Sequence, residues 1–129
     1  MKIHHIGCLV DNIEETRSFY SSFPTFVNAS EIITVSDQKV KVCFIDIGNT
    51  TFLELIEPLE GNQPLQKMRS KNTSYYHIGY LVDDIEKEAM ELCNKGCTQL
   101  NTFNSEAFNN KRCMFLYTPD SHLIELIEK

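Results

Sequence analysis

No apolar run in this chain of 129 residues approaches the roughly 20 residues that a helix needs to cross a bilayer, so no membrane-spanning helix is expected. Basic residues are also scarce: 12 Lys and Arg stand against 18 Asp and Glu, a formal net charge of −6. A general nucleic-acid binder needs a dominant basic patch to displace phosphate counterions, so the acidic balance disfavours that class. The five cysteines are odd in number and contain no C-x-x-C pair. The opening Met1-Lys2-Ile3-His4-His5 meets a polar pair before any apolar core forms, unlike a secretory leader. Reduced thiols in a cytoplasmic protein are the expectation.

What is present is enough for one globular domain. Apolar residues make up 42% of the chain and aromatics 10%, too many for a disordered segment. A chain of this size buries on the order of two-thirds of its unfolded surface and needs no staple.

The chain repeats itself. His5-Ile6-Gly7-Cys8-Leu9-Val10-Asp11-Asn12-Ile13-Glu14 matches His77-Ile78-Gly79-Tyr80-Leu81-Val82-Asp83-Asp84-Ile85-Glu86 at eight of ten positions, at an offset of 72. Glu54-Leu55-Ile56-Glu57 matches Glu125-Leu126-Ile127-Glu128 at an offset of 71, and Phe44 aligns with Phe115 upstream. Two matches in the same order define a tandem duplication of a unit on the order of 60 residues.

Each unit reads as strand, helix and three strands, an α+β pattern. Strands are expected at 2–10, 31–36, 39–47 and 51–57, and again at 75–82, 98–102, 111–117 and 121–128. Helices are expected at 12–22 and 84–95, capped by Asp11 and Asp83 with Glu14 and Glu86 in capping-box position. Gly96 suits a left-handed helix stop, and Gly48-Asn49 and Pro119-Asp120 suit turns. A first module at about 1–59 and a second at about 75–129 are joined by a polar linker at about 60–74, with a short helix near 64–71.

The chemistry gathers on four residues. A strand alternates faces, so His5 shares a face with Ile3, Gly7 and Leu9, and His77 with Tyr75, Gly79 and Leu81, while His4 points the other way. Glu54 and Glu125 lie inside apolar strands, where an unpaired carboxylate is costly and a positive group should compensate it. Glu57 and Glu128, at strand ends, read as solvated. A lone strand histidine is ordinarily structural. Paired by a pseudo-twofold axis, however, His5, Glu54, His77 and Glu125 make two imidazoles and two carboxylates. That set suits one divalent ion such as Ni, Co, Zn, Mn or Fe, with two positions left in an octahedral shell.

At these residues the chain resembles the vicinal oxygen chelate superfamily. The carriers are H-x-G with L-V-D-x-I-E, then E-L-I-E-P, then H-I-G-Y-L-V-D-D-I-E, then L-I-E-L-I-E. The resemblance covers essentially the whole chain. It implies two βαβββ modules forming a curved sheet around a cleft, with metal ligands His5, Glu54, His77 and Glu125. His5-Ile6-Gly7 and Glu54 to Leu59 look like methylmalonyl-CoA epimerase. The loop Phe103 to Asn110, which has no glycine, and the run Phe115 to Asp120, which has no lysine, look more like small glyoxalase I-type proteins.

The expected activity is therefore of the glyoxalase I (lactoylglutathione lyase) type. Methylmalonyl-CoA epimerase is the alternative, and a non-catalytic ligand-binding protein is a second one. Both enzymes remove a proton next to a carbonyl. The resemblance implies Glu125 as base and Glu54 as its counterpart, acting on a thiol adduct or thioester; a homodimer is expected, and the tandem repeat allows a whole site in each chain. Lys67, Arg69, Lys71, Lys111 and Arg112 could meet anionic groups of the thiol carrier or be solvated, and Phe103 and Phe108 could form a lid or core.

Overall fold

The computed structural model describes residues 1–129. Two βαβββ units follow one another: β1 (Lys2–Leu9), α1 (Ile13–Ser21), β2 (Ile33–Val35), β3 (Val40–Asp46) and β4 (Phe52–Pro58), then, after α2 (Gln63–Ser70), β5 (Tyr75–Val82), α3 (Ile85–Asn94), β6 (Thr98–Ser105), β7 (Lys111–Tyr117) and β8 (Leu123–Glu128). All eight strands form one curved sheet in the order β2-β3-β4-β1-β5-β8-β7-β6. The units join where β1 and β5 pair antiparallel, and each of these strands pairs parallel with its own unit's last strand. No helix is long and apolar enough to cross a membrane.

Alternation along the strands sorts the core into three clusters. On the concave face Leu9, Val42, Phe44, Ile56, Phe115 and Ile127 pack together, and Leu65 of α2 joins them. On the convex face α1 buries Ile13 against Cys43, Ile45 and Leu55. There α3 buries Ile85 and Ala89 against Met114, Leu116 and Leu126. The sheet is thus covered on both sides, which is why its inner strands read as nearly continuous apolar runs.

The helices start one residue later than expected. Asn12 and Asp84 are the caps, their Oδ1 atoms accepting from the amides of Glu15 at 2.9 Å and Lys87 at 3.0 Å. Asp11 and Asp83 are freed to pair with Arg69 and Lys129. Glu57 and Glu128 are not simply solvated. Glu57 Oε1 accepts the Ile13 amide at 2.8 Å, and Glu128 Oε1 accepts the Ile85 amide at 3.3 Å. Each strand-end carboxylate therefore sits at a helix N-terminus, where backbone donors lack partners and the dipole favours negative charge. Lys41 and Arg112 pair with the same two carboxylates.

Other expected bounds shift modestly. β2 is shorter than expected, and β6 runs on through Ser105 before a 3-10 turn at Glu106–Phe108. Gly96 takes the left-handed conformation at φ 102°, as its place after α3 requires.

Candidate metal centre

The register explains why each module carries H-x-G. Gly7 pairs with Glu54 on one side and His77 on the other, while Gly79 pairs with Glu125 and His5. Two parallel rows result, Glu54–Gly7–His77 and Glu125–Gly79–His5. In each row a carboxylate and an imidazole reach toward one another over a residue with no side chain. A Cβ at Gly7 would lie 2.7 Å from His77 Cε1, and one at Gly79 would collide with the His5 ring. The space above each glycine is thus filled by the other module's histidine.

All four side chains are buried, with His5 at 0%, His77 at 2% and Glu54 and Glu125 at 4% exposure. One ligand atom from each lies within 4.8 Å of all the others. His5 Nε2 is 2.8 Å from His77 Nε2 and 3.1 Å from Glu125 Oε2, and His77 Nε2 is 3.2 Å from Glu125 Oε2 and 3.3 Å from Glu54 Oε1.

Such a cluster is rich in acceptors and poor in donors. Two carboxylates accept only, and two neutral imidazoles can point at most two N–H groups at the centre. A cation or extra protons must neutralise it. The titration shifts carry the same message. Burial alone would lower the His77 imidazole, but hydrogen bonds and charge from Glu125 and Glu54 outweigh it and lift it to about 9. Burial alone would raise the Glu125 carboxyl, but its hydrogen bonds to His5 and His77 pull it down to about 2. Two nitrogen and two oxygen donors facing one point fit a divalent first-row metal, with His77 Nδ1 left without any hydrogen-bond partner behind it.

Above the cluster lies a cleft of about 370 Å³, including its open mouth, lined by Val35, Val40, Val42, Leu65, Phe103 and Phe115 among others. Gln38, Tyr76 and Ser105 supply its polar edge. Phe103 is core, stacked on Phe115 at 5.5 Å between ring centroids. Phe108 lies over the site, stacked on His5 at 5.9 Å. Across the mouth, the Ser36 amide donates to Glu106 Oε2 at 3.0 Å, tying the two modules together.

Strict alternation fails at His4. The β1–β5 register skips His4 on one strand and Tyr76 on the other, so each strand carries a bulge. The His4 ring consequently lies beside His5, not behind the sheet, with their Nδ1 atoms 2.9 Å apart. Burial, followed by the charge of His5, lowers the His4 imidazole to about 4. Arg69 and Arg112 are not free for a carrier's anions. Arg69 is bound to Asp11 and to the Thr73 carbonyl, and Arg112 to Glu86 and Glu128.

The chain belongs to the Glyoxalase/Bleomycin resistance protein/Dioxygenase superfamily, whose pattern matches residues 4–117. An uncharacterized protein of Bacillus subtilis is 29% identical over 130 residues, covering 98% of this chain and 91% of that protein. The mitochondrial methylmalonyl-CoA epimerase of Mus musculus is 27% identical over 121 residues, covering 92% of this chain and 67% of that enzyme. A variant of Streptomyces coelicolor methylmalonyl-CoA epimerase, solved with 2-nitronate-propionyl-CoA, has the same fold. Its TM-score is 0.84 at 22% identity, over 100% of this chain and 94% of that one.

Proposed function

We propose that this protein is a metal-dependent epimerase acting at the carbon next to a thioester carbonyl, of the methylmalonyl-CoA epimerase type. The relatives above with a stated activity are methylmalonyl-CoA epimerases, which favours that reading over the lactoylglutathione lyase type. The observation that carries it is the placement of two buried carboxylates on opposite sides of the β1–β5 pair, Glu54 from β4 and Glu125 from β8.

Epimerisation needs a proton taken from one face of a carbon and a proton returned to the other. Glu125, held ionised by its histidine partners, is the base for one face, and Glu54 serves as the acid for the opposite face. After one turnover the two carboxyl groups have exchanged protonation states, which suits the reverse substrate. His5, Glu54, His77 and Glu125 would hold a divalent ion, which would supply Lewis acidity toward a carbonyl oxygen on which negative charge develops. The apolar walls exclude water around it, and Phe108 covers the His5 side. All four side chains come from one chain, so each subunit of the expected homodimer carries a site.

Assaying methylmalonyl-CoA and a methylglyoxal hemithioacetal side by side tests the choice of substrate. Turnover of the thioester alone supports the epimerase, and turnover of the hemithioacetal alone restores the lyase reading.

A further inference from the structure

We propose that His4 is a positioning residue: its Nδ1 accepts a hydrogen bond from His5 Nδ1–H and so holds the His5 ring with Nε2 turned to the ion. The inference rests on the metal-centre reading above. His5 Nε2 is the atom that meets His77 and both carboxylates. To donate its lone pair to a cation there, a neutral imidazole must carry its proton on Nδ1. His4 Nδ1 stands 2.9 Å away, and two facing nitrogens can share only one proton. His4 must then be the acceptor, with its own proton on Nε2.

The surroundings hold His4 in that place. Its ring packs on Phe52, Phe108 and Phe44 at centroid distances of 5.0, 5.3 and 5.6 Å. The bulge that skips His4 in the β1–β5 register is what turns it onto the concave face. Tyr76 occupies the matching bulge and brings its ring to 4.9 Å from His77, yet His77 Nδ1 has no hydrogen-bond partner. The duplication is therefore broken behind the ligands: one histidine is buttressed by another imidazole and the other is not.

The test is zinc affinity, by competition with a chromophoric chelator, for the wild type, His4→Phe and His4→Asn. The phenylalanine keeps an aromatic ring in the bulge but cannot accept, and the asparagine restores an acceptor. His4→Phe should bind zinc about 10- to 100-fold more weakly, the usual effect of losing a partner behind a ligand, and His4→Asn should recover most of that. Nitrogen-15 spectra of the zinc-loaded wild type should place the shared proton on His5 Nδ1 and leave His4 Nδ1 unprotonated. A folded His4→Phe with wild-type affinity, or a protonated His4 Nδ1, overturns the inference. If His4→Phe fails to fold, the spectra decide. A wild type that takes up no zinc sinks the metal-centre reading, and this inference with it.

Discussion

The His5 imidazole occupies the space that any side chain at Gly79 would need, and the same relation holds between His77 and Gly7. The glycines are therefore part of the site. Gly79→Ala should cost about 1–3 kcal/mol of stability, as expected for overpacking a filled core, and should displace the His5 ring. Gly7→Ala should do the same to His77, less severely, because the collision is milder. Denaturant melts paired with zinc titrations check both effects.

Protein stripped of divalent ions should have a pH-dependent stability set by the cluster. His77 is raised from 6.5 to about 9, so its contribution is complete below pH 6.5 and lost as pH rises through about 9. Glu125 is lowered from 4.5 to about 2, so its contribution is complete above pH 4.5 and lost as pH falls through about 2. The denaturation midpoint should be highest between pH 4.5 and 6.5 as far as these two groups decide it. Added zinc should suppress the alkaline loss, because the ion takes the place of the proton.

Glu57 and Glu128 should act on stability alone. Glu57→Ala and Glu128→Ala each remove a carboxylate from a helix start, at about 1 kcal/mol. Glu57 should cost more, since its bond to the Ile13 amide is 2.8 Å against 3.3 Å for Glu128 and Ile85. Thermal melts measure the difference, and zinc affinity should not change.

The duplication makes most of this molecule legible in its sequence. It points to both histidines and both carboxylates, because each module repeats them at equivalent positions, and the structure brings the four together. The two units follow from the same matches, and the curved sheet is what the family resemblance implies. The bulges follow from neither, because a skipped residue leaves no mark on a pattern read with period two, and strict alternation therefore puts His4 on the wrong face. The helix caps slipped by one because two adjacent side chains in each module could serve. What selects Asn12 and Asp84 includes a contact distant in sequence: Glu57 and Glu128 take the first helical amide, and Arg69 and Lys129 take Asp11 and Asp83.

Glu125→Gln keeps the shape of the side chain but cannot take a proton. It should leave the fold intact and lower proton removal by about 10²–10⁴-fold, the usual contribution of a general base. Circular dichroism and the exchange assay below separate loss of chemistry from loss of structure.

The most direct measurement is deuterium incorporation at C2 of methylmalonyl-CoA in heavy water, catalysed by zinc-, cobalt- or nickel-loaded protein. Exchange that requires the ion and disappears in Glu125→Gln is the expected result. A wild-type protein with its ion bound that leaves the C2 proton in place would contradict the proposed function.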